Sequence, residues 1–184
     1  MIPKELPRYE TLKEAAREYP DLDPSAVEAY LHVLRTGDLV ARLAETGLAR
    51  HNISQGGFGI LTTLLRSEKL EAPATPPTLS ALAERLGVTP ATMTGLVDTL
   101  EGDGLVLRGA DPHDRRKVIV SLSQKGRDLL TRVLPGHFRF ISALLRPLDR
   151  AERGELVELL RKIVAQADEL SAAQPAATDS PEAR

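Results

Sequence analysis

The sequence predicts a mainly helical α+β chain, in which two short helices and a two-stranded hairpin lie between longer amphipathic helices. Three observations carry that prediction. Apolar residues recur at spacings of three and four through most of the chain, which is the period of a helix. Around residues 105–122 the period falls to two, that of a strand, on either side of a polar loop. Capping residues stand where helices need them: Asp23, Ser54, Thr78, Thr89 and Asp149 precede apolar stripes, and Gly87 and Gly102 follow them.

Composition narrows the function classes. The chain has 184 residues, 42% hydrophobic and 27% charged, an ordinary balance for a globular protein of one domain with extensions. There is no Cys, which excludes a disulfide scaffold, a thiolate zinc site, a catalytic Cys and a thiol redox switch. The four His show no HxxxH or HExxH spacing, so no metal site and no cofactor are expected; His32, His113 and His137 have no second ligand at helical spacing. No apolar run reaches the roughly 20 residues of a membrane helix, and residues 1–10 lack the apolar stretch of a signal peptide. A cytoplasmic protein without a membrane partner is the resulting expectation. No nucleophile–base pair is visible and nothing is large enough for a catalytic domain, so the chain is not expected to be an enzyme.

Taken in order, residues 1–22, with Pro3, Pro7 and Pro20, read as an arm or short helix outside the core. Asp23-Pro24 opens a helix with Val27, Tyr30, Leu31 and Leu34 on one stripe and Gly47 as its stop. Ser54 caps a second helix carrying Phe58, Leu61, Leu64 and Leu65. Residues 71–78, with three prolines, form a loop. Thr78 then precedes a short helix with Leu82, Ala83 and Leu86, closed by Gly87, and Thr89-Pro90 starts another at once with Met93, Leu96, Val97 and Leu100. Two short helices joined by Gly87-Val88-Thr89 make a helix-turn-helix. Residues 105–108 form a strand, 109–116 a polar hairpin loop, and Val118, Val120 and Leu122 mark the return strand, which together make a wing. Ser123 begins a helix with Leu129, Val133, Phe138, Ile141 and Leu145, kinked at Pro135. Asp149 and Glu152 form a capping box for a last helix with Leu156, Leu159, Leu160, Ile163, Ala167 and Leu170 in line. Residues 171–184 read as a disordered tail by composition.

Chemistry concentrates in the second short helix and the wing. With its apolar stripe turned to the core, the helix of residues 90–102 presents Ala91, Thr92, Thr94, Gly95, Asp98 and Thr99 outward. Thr hydroxyls bond base edges or phosphates, and Ala and Thr methyls touch the thymine methyl. The helix has no Lys or Arg. The wing supplies them: between Leu105 and Arg127 stand Arg108, Arg115, Arg116, Lys117, Lys125 and Arg127 against Asp111 and Asp114, a local excess of four positive charges in a chain of net charge -2. Positive charge on a loop is the footprint of phosphate contact, and an Arg at a loop tip can enter the minor groove.

The run from Leu79 to Gly126, with its helix-turn-helix, Gly104-Leu105-Val106, Asp114-Arg115-Arg116 and Ser121-Leu122-Ser123, resembles the DNA-binding core of the MarR (multiple antibiotic resistance regulator) family. The match is continuous over residues 79–126, and the flanking helices fit the family layout over roughly 23–170. The resemblance implies an obligate homodimer built from the first and last helices, binding a pseudo-palindromic operator in double-stranded DNA. It assigns residues 1–50 to an arm and dimerisation helix, 54–126 to the winged helix-turn-helix, and 127–170 to C-terminal dimerisation helices. The DNA-binding set it implies is Thr89, Ala91, Thr92, Thr94, Gly95, Arg108, Asp114, Arg115, Arg116 and Lys117. Arg116 would reach the minor groove with Asp114 orienting it, and Arg115 would take a phosphate. Gly95 departs from the family, whose members often carry a larger or basic residue there. The family also implies a repressor released by a small aromatic or phenolic effector, for which Arg35, Arg50, His51 and Phe58, beside Gly56, Gly57 and Gly59, are the candidate cleft residues. Close helix packing is the other reading of those three glycines. The alternative function is a winged-helix protein-interaction module without operator binding.

Overall fold

The computed structural model describes residues 5–71, 75–112, 114 and 116–173. Helix α1 (Tyr9–Ala15) buries Leu12, and α2 (Pro24–Ala49) follows. Asp23 caps α2 by accepting bonds from the Ser25 and Ala26 N–H groups at 2.8 and 3.2 Å and from the Ser25 hydroxyl at 2.7 Å. The hydroxyl bond first, and then the backbone bonds, hold the Asp23 carboxyl below its usual pKa. Gly47 does not stop this helix. The chain turns at Asn52, whose φ of 54° does the work expected of a glycine, a conformation Asn tolerates because its short amide bonds locally.

Helix α3 (Gln55–Arg66) starts at Ser54, whose Oγ accepts from the Gly57 N–H at 3.1 Å. A π-helical turn (Ser67–Glu71) extends it, so the proline loop begins one residue later than expected; its residues 72–74 lie outside the described ones. The end of that loop is not idle. Thr78 bridges Ile119, and Pro77 O accepts from the Val120 N–H at 2.9 Å, adding a short third edge to the hairpin.

Helices α4 (Leu79–Leu86) and α5 (Pro90–Gly102) form the helix-turn-helix, each capped by a Thr side chain, with Gly87 at φ 63° making the turn. Strands β1 (Val106–Ala110) and β2 (Val118–Leu122) pair antiparallel, Val106 opposite Leu122 and Ala110 opposite Val118. The strand thus takes in Gly109 and Ala110, which composition alone assigns to the loop. Helix α6 (Gln124–Leu144) continues through Pro135, and α7 (Arg150–Ala173) begins at a reciprocal capping box: the Asp149 N–H donates to Glu152 at 2.7 Å and the Glu152 N–H to Asp149 at 2.9 Å. α7 takes in residues 171–173 of the expected tail; the remainder lies outside the described residues.

The chain divides into two compact units, Met1–His137 and Phe138–Arg184. The core of the first joins α3 to α6 and the wing: Ile60, Leu61, Leu64, Leu82, Met93, Val97, Val106, Val120, Leu122 and Leu130 are all but inaccessible. In the second, every residue of α7 is exposed, including the whole apolar stripe. Among the described residues no helix is long and apolar enough to cross a membrane.

The glycine cluster at the start of α3 answers to packing. A Cβ on Gly56 would lie 3.1 Å from a Leu96 methyl, and one on Gly57 would lie 3.2 Å from a Leu100 methyl, so both glycines let α3 approach α5. The tightest approach is elsewhere. A Cβ on Gly126 would overlap the carbonyl oxygen of Leu105, a backbone atom that cannot swing aside. Gly126→Ala is therefore expected to destabilise the chain by about 1–3 kcal/mol, the usual range for overpacking. Urea unfolding checks this, and an unchanged midpoint contradicts it.

Candidate nucleic-acid interface

The outward face of α5 is built by its inward one. Met93, Val97 and Leu100 are buried and Leu96 half-buried, which leaves Ala91, Thr92, Thr94, Gly95, Asp98 and Thr99 exposed along one side. Thr89 Oγ1 accepts from the Thr92 N–H at 3.1 Å and shares a proton with the Thr92 hydroxyl at 2.9 Å. Thr94 and Thr99 donate their hydroxyls back to the carbonyls of Pro90 and Gly95, at 2.9 and 3.0 Å. With those protons committed to the helix, the exposed oxygens of Thr94 and Thr99 face outward as acceptors, suited to the amino groups of adenine or cytosine. Gly95 has no atom within 4 Å of an added Cβ, so nothing inside the protein requires a glycine there.

The wing spends its acids on its own backbone. Asp111 Oδ1 accepts from the Asp114 N–H at 3.2 Å, and Asp114 Oδ1 accepts from the Arg116 N–H at 3.1 Å. The Asp111 N–H donates to Lys117 O at 3.0 Å, and the Lys117 N–H donates to Asp114 O at 2.9 Å. The Asp114 carboxylate thus fixes the Arg116 peptide group, and the exposed Arg116 guanidinium has no partner among the described residues. Lys117 keeps only a loose pair with Asp114 at 3.8 Å, and Arg115 lies outside the described residues.

The positive charge counted along the sequence is not evenly available. Arg127 is held by Glu68 at 2.8 Å, and Lys125 donates to Asp103 O at 2.6 Å. Arg108 lies over α5, 2.5 Å from Asp98 and 3.6 Å from Glu101. Strand alternation explains this orientation: Arg108 shares the inner face of β1 with buried Val106 and stands opposite buried Val120. Carboxylates thereby balance Arg127 and Arg108, whereas Lys125, bonded to a neutral carbonyl, keeps its charge at the base of the wing, as Arg116 does at the tip. On the flank, Arg85 of α4 donates to Glu71 at 2.8 Å and Arg66 to the same carboxylate at 3.2 Å. The Arg85 bond is the largest cause holding the Glu71 carboxyl below its usual value. That contribution is present above the unfolded value of 4.5 and is lost as acid protonates the folded carboxylate.

The expected effector residues do not converge in the same way. Phe58 is buried in the core, its ring edge-to-face with His137 at 4.8 Å between centroids. Arg50 and His51 are exposed at the end of α2, whereas Arg35 pairs with Asp38 at 3.7 Å. Fifteen residues of helix separate Arg35 from Arg50, about 22 Å at the helical rise. A cavity of about 300 Å³ lies instead under the wing, between Leu64, Ser67, Pro77 and Val120. Among the described residues there is no cluster of His, Asp or Glu suited to a metal ion.

The Arg108 clasp on Asp98 and Glu101 and the Pro77–Thr78 edge are the features that sequence reasoning missed. For the clasp a signal existed, since period-two alternation puts Arg108 on the Val106 side. For the edge there was none, because a proline-rich stretch gives no strand pattern.

Comparison with known proteins places this architecture. The MarR family profile matches residues 53–118. The HTH-type transcriptional repressor YetL of Bacillus subtilis is 33% identical over 157 residues, covering 85% of this chain and 91% of YetL. Among solved structures, the transcriptional regulator BldR of Sulfolobus solfataricus is 31% identical at a TM-score of 0.60, covering 76% of this chain and 97% of BldR. The transcriptional repressor CouR of Rhodococcus jostii, bound to a 23-mer DNA duplex, is 27% identical at a TM-score of 0.63, over 73% of this chain and 90% of CouR. With a third of the aligned residues identical to YetL over most of both chains, the chain belongs to the MarR family of winged-helix transcriptional regulators.

Proposed function

We propose that this protein is a homodimeric repressor that places α5 in the major groove of a pseudo-palindromic operator and the tip of its wing in the adjacent minor groove. The observation that carries this reading is the division of labour between two neighbouring surfaces. α5 offers small side chains and hydroxyl acceptors without a cation, and the wing tip offers Arg116, with no partner among the described residues, beside the loosely held Lys117. A groove-reading helix and a phosphate- or minor-groove-seeking loop require those two chemistries. In this reading Thr89, Ala91, Thr92, Thr94 and Gly95 meet the major groove. Arg115, Arg116 and Lys117 supply the counterion-releasing charge, and Asp114 sets the tip. Dimerisation is supported by α7, where Leu156, Leu159, Leu160, Ile163 and Leu170 form an exposed apolar stripe. Half-sites are then expected one helical turn apart, about 34 Å. Release by a small aromatic anion remains part of this reading on family likeness.

Arg116→Ala is expected to lower affinity by about 1–3 kcal/mol and to relax preference where the minor groove is narrow, with a shallower salt dependence. Titration of DNA fragments selected from a random pool, at several salt concentrations, checks this. Unchanged affinity and preference would place the tip outside the groove, and failure of the wild type to bind any selected fragment favours the protein-interaction reading.

Gly95→Ala separates folding from function. In an exposed helix interior with open space around it, the substitution should stabilise the free protein by about 0.5–1 kcal/mol. If Gly95 exists for close approach to DNA, the same variant binds its operator less tightly. Greater stability with undiminished binding would remove Gly95 from the interface.

Paired substitution of Leu160→Glu and Ile163→Glu should leave the helical content intact and yield a monomer with weak operator binding, as measured by ultracentrifugation and gel shift. A stable dimer would show that α7 is not the seam.

A further inference from the structure

We infer that Arg108 is a positioning residue for DNA recognition, which ties α5 to the wing and offsets part of the charge of Asp98 and Glu101 on the helix that faces DNA. The inference rests on the DNA-binding reading above and assigns Arg108 a role other than the direct DNA contact implied by family likeness.

α5 carries two ionic side chains, Asp98 and Glu101, and both are negative. A carboxylate on a surface presented to phosphates opposes binding unless a cation accompanies it. Arg108 is that cation. Its Nη2 is 2.5 Å from Asp98 Oδ1 and donates to the Thr94 carbonyl at 3.4 Å, while its Nε stands 3.6 Å from Glu101 Oε2. That last distance is too long for a hydrogen bond, and Nε is buried with no hydrogen-bond partner among the described residues.

Accessibility gives the direction of the arrangement. The Arg108 side chain is 26% exposed, against 57% for Asp98 and 44% for Glu101. The cation therefore lies beneath the anions as seen from solvent, where it is better placed to neutralise them than to reach a phosphate itself. A planar guanidinium can address two carboxylates and a carbonyl together, which a lysine ammonium on a flexible stem does poorly. Thr94 lies on the face proposed to read bases, so the clasp also fixes that part of α5 relative to the wing strand that leads to Arg116. The two carboxylates penalise a docking that pulls Arg108 away from them.

The test is a charge rescue, read by fluorescence anisotropy on a selected operator fragment and on random DNA across a salt series. Arg108→Ala is expected to weaken operator binding about tenfold or more while leaving the salt slope nearly unchanged. Adding Asp98→Asn and Glu101→Gln to that variant is expected to restore most of the loss, because nothing then needs cancelling. In the wild-type background the same two substitutions leave Arg108 unbalanced and should tighten binding to random DNA several-fold, narrowing the operator-to-random ratio. Arg108→Lys should fall between wild type and Arg108→Ala.

A salt slope reduced by about one in Arg108→Ala, with no rescue by the carboxylate substitutions, would make Arg108 a phosphate contact and overturn the inference. Should Arg108→Ala not fold, the carboxylate double variant decides alone: unchanged binding to both DNAs overturns the inference. Wild-type protein that binds no DNA defeats the underlying reading instead, and this inference with it.

Discussion

The relation between the reading helix and the wing depends on one close contact, the seating of the first turn of α6 on the backbone of residues 103–105. Gly126 has no room for a Cβ above Leu105 O, which itself accepts the Ser123 N–H at 3.1 Å. The Ser123 hydroxyl donates to Gly104 O at 2.7 Å and accepts from the Gly126 N–H at 3.0 Å, so one buried side chain caps α6 and closes the turn after α5. Lys125 adds a bond from the other side, to Asp103 O. Three elements meet there: the end of α5, the start of β1 and the start of α6. Gly104, at φ 69°, turns the chain between the first two. Fixing those few residues fixes the direction in which the wing leaves the helix.

A second seam sets the depth of the reading helix. Gly56 and Gly57 bring the backbone of α3 within van der Waals contact of Leu96 and Leu100, and Met93 and Val97 fill the remaining space completely. Helix propensity argues against two adjacent glycines in a first turn, at a cost of about 1 kcal/mol each relative to Ala. Packing of α5 offsets that cost. Gly95, on the opposite face of the same helix, has no such compensation inside the protein, and the contrast between the two sites is what makes it informative.

Much of this was legible in the sequence because caps and periods are local. Ser54, Thr78, Thr89 and Asp149 each cap the helix they precede, and the stripe of Met93, Leu96, Val97 and Leu100 faces inward as its spacing requires. Errors arose where a long-range partner decides. Gly47 is an adequate stop by composition, but Leu48 is drawn into the core and the helix runs on to Ala49 before Asn52 turns the chain. Gly109 and Ala110 look like loop until β2 supplies their partners. A count of basic residues likewise gives charge without position: Arg127 belongs to Glu68, 59 residues away, and only the three-dimensional fold discloses that pairing. The candidate effector residues had no geometric argument beneath them, and the helix that carries two of them holds those two about four turns apart.

The distribution of charge explains how a MarR-family chain with net charge -2 can present a surface suited to DNA. Affinity for a polyanion depends on the field at the contact, within about 8–10 Å at physiological salt, and not on the total. Here the acids near the contact are held by structure. Asp111 and Asp114 accept backbone bonds of the wing, Glu68 and Glu71 hold arginines of the flank, and Asp98 and Glu101 sit over Arg108. The pairings with arginines remove a negative field and a positive one together, whereas the backbone bonds of Asp111 and Asp114 fix those carboxylates without neutralising them. Among the described cations between Leu105 and Arg127, Arg116 and Lys125 have no carboxylate partner and Lys117 has a loose one. A surface arranged in this way concentrates its positive charge on the wing and its base and leaves α5 with two carboxylates partly offset by Arg108. On the proposed reading, shape, methyl groups and hydroxyl acceptors then decide which sequence is read, because α5 carries no cation of its own.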